Sequence, residues 1–185
     1  MTLYPVFLKL AGQPVVVVGG GTVAAGKLDG LLAAGARVTV IAPRVRDAVR
    51  ERATVLEREF EASDLDGARW VVAAATPEVN REVAAAATAR GLFCNAVDDP
   101  EVATAYLGGV VRRGDVEIAI STGGVAPALA GLLREALEAL LPHDLESWIE
   151  VAIRARAQWK RDRIPMHERR PLLLRALDRI YARSA

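Results

Sequence analysis

Four consecutive valines, Val15–Val18, run directly into three consecutive glycines, Gly19–Gly21. A β-branched run without polar alternation reads as a strand buried on both faces, which sheets achieve when helices cover both sides. The glycines stop the strand abruptly. The stretch that follows, Thr22–Ala34, places Val23, Leu28, Leu31 and Leu32 close to helical spacing. Gly35 then stands just past the helix, where a left-handed residue is wanted. A buried strand, a glycine turn and a helix in that order restrict the chain to an α/β architecture.

The same pattern continues to Asp98. Arg37–Ile41 reads as a second strand closed by Pro43, Val45–Arg52 as a helix and Thr54–Glu57 as a weak strand. Trp70–Ala75 and Leu92–Val97 read as further buried strands on either side of a helix over Pro77–Arg90. Fully apolar strands alternating with helices predict a doubly wound parallel sheet of the Rossmann type. Beyond Asp98 the pattern changes. Val110–Arg113 and Val116–Ile120 flank Gly114-Asp115 as two strands joined by a tight turn. Pro127 opens a helix that Pro142 ends, and Asp144–Ala185 reads as helical with a break at Ile164-Pro165.

With 185 residues, 52% of them hydrophobic, the chain has enough material for one core and an appendage, and disorder is excluded. A single cysteine, Cys94, excludes a disulfide framework and an all-cysteine metal site. The apolar runs fall far short of the roughly 20 residues of a membrane-spanning helix. No basic segment precedes the apolar start, so no signal peptide is expected, and a cytoplasmic protein without a membrane partner is. The net charge of +1 conceals a division. Residues 1–147 hold 14 basic and 19 acidic side chains, net −5, whereas residues 148–185 hold 10 and 4, net +6.

Gly19-Gly20-Gly21-Thr22-Val23-Ala24 fits the G-x-G-x-x-G/A dinucleotide fingerprint, in the strand-to-helix context that it requires. Gly19 allows the tight turn, Gly21 lets backbone approach a pyrophosphate, and free N–H groups at Thr22 and Val23 open a helix that favours anions. The acidic residue that would bond an adenine ribose, expected about 20 positions on, is missing. Ile41-Ala42-Pro43-Arg44 stands there instead. Arg44 is equally consistent with a 2′-phosphate contact, and so NADP, or with a solvated loop arginine.

The run YPVFLKLAGQPVVVVGGGTVAAGK resembles the start of the precorrin-2 dehydrogenase/sirohydrochlorin ferrochelatase family, the siroheme-synthase N-terminal module. The resemblance continues through VTVIAP, AAATPEVN, FCNAVDDP, VRRGDVEIAISTGG and PALAGLLREALEALLP, covering about Tyr4 to Pro142. It implies oxidation of precorrin-2 to sirohydrochlorin with NAD, the family generally lacking the acidic residue after the second strand. Some members also insert iron. The resemblance further implies a homodimer and a catalytic carboxylate at Asp98. The methyltransferase domain fused to some relatives is not expected in a chain of this length.

These readings give three parts. Residues 1–113 form an NAD-binding Rossmann domain, 114–147 a small dimerisation segment and 148–185 a helical C-terminal domain. Asp98 lies just past a strand, on the sheet edge where ligands bind, and is the candidate general base, with Asp99 expected to cap the turn before Pro100. Gly19, Gly21, Thr22, Val23, Pro43, Arg44 and Thr76 are the candidate cofactor contacts. Thr76 reads equally as the cap of the following helix. Asn80 matches a family position, and a helix-surface amide explains it equally well.

Ser121-Thr122-Gly123-Gly124 combines hydroxyls with a helix start and is a candidate anion site for the polycarboxylate tetrapyrrole; an ordinary turn and cap explains it equally well. Ala126 stands where the family that the chain resembles often has a serine. His143 and His167 lack metal-ligand spacing, so no metal ligands are assigned. Cys94 reads as buried filler. Arg154, Arg156, Lys160, Arg161 and Arg163 give the tail a basic face, read as solvated or as serving the tetrapyrrole rather than nucleic acid. A non-catalytic NAD-sensing module is the alternative from another class, since a dinucleotide fold does not by itself establish catalysis.

Overall fold

The computed structural model describes residues 3–182. Residues 1 and 2 of the expected first domain and 183–185 of the expected helical region lie outside them. The chain divides into two compact units, residues 1–107 with 123–125, and residues 108–122 with 126–185.

The first unit is a five-stranded, all-parallel sheet in the order β3-β2-β1-β4-β5. Its strands are β1 (Pro14–Val18), β2 (Arg37–Ile41), β3 (Thr54–Leu56), β4 (Trp70–Ala73) and β5 (Cys94–Ala96). Its helices are α1 (Thr22–Ala33), the single turn α2 (Asp47–Arg50) and α3 (Pro77–Ala89), with a 3-10 turn over Ala62–Leu65. This is the expected doubly wound plan. The valine run lies at its centre, between β2 and β4, and alternate residues serve opposite faces. Val15 and Val17 pack with Leu28 and Leu31 of α1, while Val16 and Val18 pack with Val83, Ala84 and Ala87 of α3. Each of the four valines is buried, a contribution of about 1.5–3 kcal/mol apiece. Gly35 takes a φ of 72° after α1, and the N–H groups of Gly35 and Ala36 close onto Leu32 and Leu31.

Three expected elements are shorter than their sequence pattern by two residues or more. The helix read over Val45–Arg52 is only Asp47–Arg50; ahead of it the Arg46 N–H donates to the Gly20 carbonyl and draws the preceding residues against the glycine loop. The strands read over Trp70–Ala75 and Leu92–Val97 end at Ala73 and Ala96, for a reason developed with the site.

The second unit begins with an antiparallel hairpin of β6 (Gly109–Arg113) and β7 (Val116–Ile120), followed by α4 (Pro127–Leu140), α5 (Leu145–Arg161) and α6 (Met166–Ala182). Gly114, with φ 54°, opens the two-residue turn. β6 pairs with β7 and belongs to this unit, which begins at Gly108. The Arg113 guanidinium donates to the carbonyls of Glu138, Leu141 and Pro142 and fastens the hairpin to the end of α4. No described helix is long and apolar enough to cross a membrane.

Candidate functional site

In a sheet of this order, the loops leaving β1 and β4 diverge to opposite faces, and the crevice between them opens at the strand carboxyl ends. Gly19, Pro43, Thr76 and Asp98 all stand on that edge, just after β1, β2, β4 and β5.

The glycine loop is held by its neighbours on both sides. The Gly19 N–H donates to Ile41 at the end of β2, and the Ala74 N–H donates to Val18. Gly19 takes a φ of 126°, and a Cβ there would lie 2.2 Å from the Ala74 carbonyl oxygen. Gly20 is equally obligatory, since a Cβ would lie 2.2 Å from the Arg44 carbonyl oxygen. The sequence reading did not single out Gly20; its requirement comes from the chain after β2, 24 residues away. Gly21 differs from both. Its backbone is extended, at φ −87° and ψ −167°, and a Cβ there would meet no atom within 4 Å.

Gly21 is the N-cap of α1, with no side-chain cap, and no acidic residue stands in the first turn. The start of the helix therefore combines backbone donors, a positive dipole end and open space at Gly21, the arrangement that a pyrophosphate requires. These residues fit a dinucleotide. Thr22, Val23, Pro43 and Arg44 are all exposed beside this start.

Thr76 occupies the N-cap position of α3 but makes no side-chain cap bond. Its hydroxyl instead bonds the Glu78 carboxylate, which helps, after that carboxylate's own backbone bond, to hold it below the usual range. Asn80 is not a surface amide: it is buried, and it shares a face of α3 with Val83, Ala84 and Ala87. That i, i+3, i+4, i+7 spacing is the signal by which the sequence could have placed it inside. Asn80 Oδ1 accepts from the Ala75 N–H at 2.9 Å, and Nδ2 donates to the Val97 carbonyl at 3.2 Å. These two bonds divert the Ala75 N–H and the Val97 carbonyl from pairing with each other and end β4 and β5 early.

Asp98 is exposed and takes a φ of 59°, which is unusual for a residue other than glycine. The carboxylate of its neighbour Asp99 is mostly enclosed and accepts from Arg81 Nε at 3.1 Å; it is anchored by an ion pair. The chain then folds back on β5. Thr104 Oγ1 accepts from the Cys94 N–H, and the side chain of Asn95 donates to the Ala105 carbonyl. Cys94 is fully buried, and burial pushes its thiol up to about 11, which makes it inert as a nucleophile.

The Ser121–Gly124 loop divides between the two units. In the second, Thr122 Oγ1 accepts from the Ala126 N–H at 3.3 Å, just ahead of α4. In the first, Gly123 and Gly124 take φ values of 66° and 81°. A Cβ on Gly124 would come within 3.0 Å of the Tyr106 ring and 3.3 Å of Pro100, so this glycine lies against the loop that follows Asp98. His143 and His167 are exposed. Among the described residues no group of three or more His, Cys, Asp or Glu is placed to hold a metal ion.

Residues 6–109 match the family model for NAD(P)-binding domains, and residues 113–140 match the central domain of sirohaem biosynthesis proteins. The chain belongs to the family described by this NAD(P)-binding model, with the sirohaem-biosynthesis central domain after it. It is 42% identical over 184 residues to siroheme synthase 1 of Aeromonas salmonicida (strain A449), covering 96% of this chain and 39% of that protein. It is 40% identical over 173 residues to the siroheme synthase of Salmonella typhi, covering 90% and 38%. The chain thus spans about two fifths of the length of these relatives. Among solved structures it is similar to SirC, precorrin-2 dehydrogenase, with a TM-score of 0.71 and 25% identity over 94% of this chain and 88% of that one.

Proposed function

We propose that the chain oxidises precorrin-2 to sirohydrochlorin, with NAD as hydride acceptor and Asp98 as general base. The observation that carries this reading is the likeness to a precorrin-2 dehydrogenase along nearly the whole of both chains, in a member of this family. It is supported by a glycine loop whose open position is Gly21 and by an exposed carboxylate on the same sheet edge.

In this reading the backbone N–H groups of Gly21, Thr22 and Val23 hold the pyrophosphate, and the Gly19 turn brings them to it. Pro43 and Arg44 flank the adenosine end, where the lack of a carboxylate and the family resemblance favour NAD over NADP. Thr76 stands at the nicotinamide side. Bound NAD supplies an acceptor for two electrons and one hydrogen as hydride. Asp98 takes the second hydrogen as a proton, so that precorrin-2 and NAD give sirohydrochlorin, NADH and one proton. Ser121, Thr122, Gly123 and Gly124 serve the carboxylates of the tetrapyrrole.

The chain acts as a homodimer in this reading, associating through β6, β7 and α4. Leu129, Leu132, Leu133 and Leu140 of α4 are all substantially exposed, an apolar face that a second copy would cover. A cytoplasmic location accords with the single, buried thiol.

The test is incubation with precorrin-2 and either NAD or NADP, following reduced nicotinamide and sirohydrochlorin together. Formation of both, with NAD preferred, is the expected result. Dinucleotide binding with no turnover of precorrin-2 would replace this reading with that of a sensor module. Sedimentation of the protein should give the dimer mass.

A further inference from the structure

Two adjacent side chains of α3 hold the residues on either side of Asp98. Asn80 Nδ2 donates to the carbonyl of Val97, and Arg81 Nε donates to the carboxylate of Asp99. The Val97 N–H in turn donates to the Ala73 carbonyl at 2.9 Å, so Val97 is fixed on both its donor and its acceptor side. The orientation of the Asn80 amide follows from its partners, because the Ala75 N–H can only donate and the Val97 carbonyl can only accept. Between these anchors Asp98 takes a left-handed backbone, which aspartate tolerates better than most side chains and which the two anchored neighbours select here. Asn80 is 3% exposed, and its other bond reaches the exit of β4, on the cofactor side of the crevice.

We propose that Asn80 is a positioning residue for Asp98: its bond to the Val97 carbonyl fixes the peptide entering Asp98 and thereby aims the carboxylate, while its bond to Ala75 ties that setting to the loop after β4. The proposal rests on the reading of Asp98 as the base. It gives a buried amide on a helix of the scaffold a part in the reaction without contact with substrate.

Asn80→Asp separates the two bonds. Above the pKa of the introduced carboxyl, the side chain still accepts from Ala75 but no longer donates to Val97. kcat for precorrin-2 oxidation should fall roughly ten- to a hundredfold, as misplacement of a catalytic group by about 1 Å does. The Kd for NADH, read by fluorescence, should stay within about twofold of the parent. Combined with Asp98→Asn, Asn80→Asp should cost less than about a further twofold, because residues acting through one another are not additive. Asn80→Ala buries no charge and serves if the aspartate variant does not fold. It should show the same non-additivity in kcat, and a crystal structure should show residue 98 released from its positive φ. Unchanged kcat, multiplied losses in the Asp98→Asn background, or an Asp98 that keeps its left-handed backbone in Asn80→Ala would overturn the proposal. Asp98→Asn turning over at the parent rate would instead overturn the assignment of the base, and the proposal with it.

Discussion

Gly21→Ala distinguishes a glycine kept for a ligand from one kept for the fold. At φ −87° and ψ −167° the Gly21 backbone suits any residue, and an added Cβ would meet no protein atom within 4 Å. The methyl group therefore costs the folded protein little. Loss of a glycine's unfolded-state freedom stabilises by about 0.4–1 kcal/mol, and alanine is a poorer N-cap by a similar amount. The sum lies within about 0.5 kcal/mol of zero, or roughly 2 °C in Tm for a chain of this size. The same methyl group occupies the space through which a pyrophosphate must approach. Disrupting one hydrogen bond to a charged group costs about 1.5–3 kcal/mol, which corresponds to a Kd for NADH raised roughly ten- to 150-fold. Calorimetry and a fluorescence titration on the same sample measure both quantities. Parent-like affinity with an unchanged Tm would refute the placement of the pyrophosphate at Gly21.

Gly19→Ala should behave in the opposite way: with φ 126° and a Cβ 2.2 Å from the Ala74 carbonyl oxygen, it should lose about 3 kcal/mol or more, seen as a Tm lowered by at least 6 °C even without dinucleotide. The Cys94 thiol should resist alkylation in the native protein and react only on unfolding. Because burial raises its pKa from 9.0 to about 11, the stability it contributes is fully present below pH 9 and lost as pH rises towards 11, which a Cys94→Ala variant should largely remove from the alkaline limb of a stability profile. The Asp64 carboxylate, held below its ordinary range chiefly by the Arg58 side chain, has the reverse sign: its contribution is present at neutral pH and lost as pH falls below about 3.8 through its folded value. Asp64→Asn should flatten the acid limb of the same profile.

The sequence disclosed what depends on neighbours along the chain. The valine run, the glycine turn, the α1 terminus at Gly35 and the β6–β7 turn at Gly114 each follow from local chemistry, and each stands where that chemistry puts it. What it concealed depends on contacts distant in sequence. The helix after β2 starts late where Arg46 is bonded to Gly20, and β4 and β5 end early where Asn80 takes the Ala75 N–H and the Val97 carbonyl. Local propensity favoured extending all three, and tertiary hydrogen bonds overrode it. The candidate site shows the same division. Gly19 and Gly21 share a motif, yet only the fold reveals that one glycine answers to Ala74 and the other to open space. Asp98 could be placed past a strand end from the sequence, whereas its left-handed backbone and the α3 side chains that flank it could not.

In the proposed function this sheet edge joins a dinucleotide to a base at Asp98. It is tested most directly by measuring turnover of precorrin-2 and NAD by the parent and by Asp98→Asn side by side, together with the Kd of each for NADH. Asparagine is the apt replacement, since it keeps the side-chain shape and tolerates the positive φ of this position. One NADH per sirohydrochlorin is expected from the parent, with kcat lowered by about 10²–10⁴ in the variant and equal affinities. Equal turnover by the two proteins, with NADH bound equally well, would contradict it.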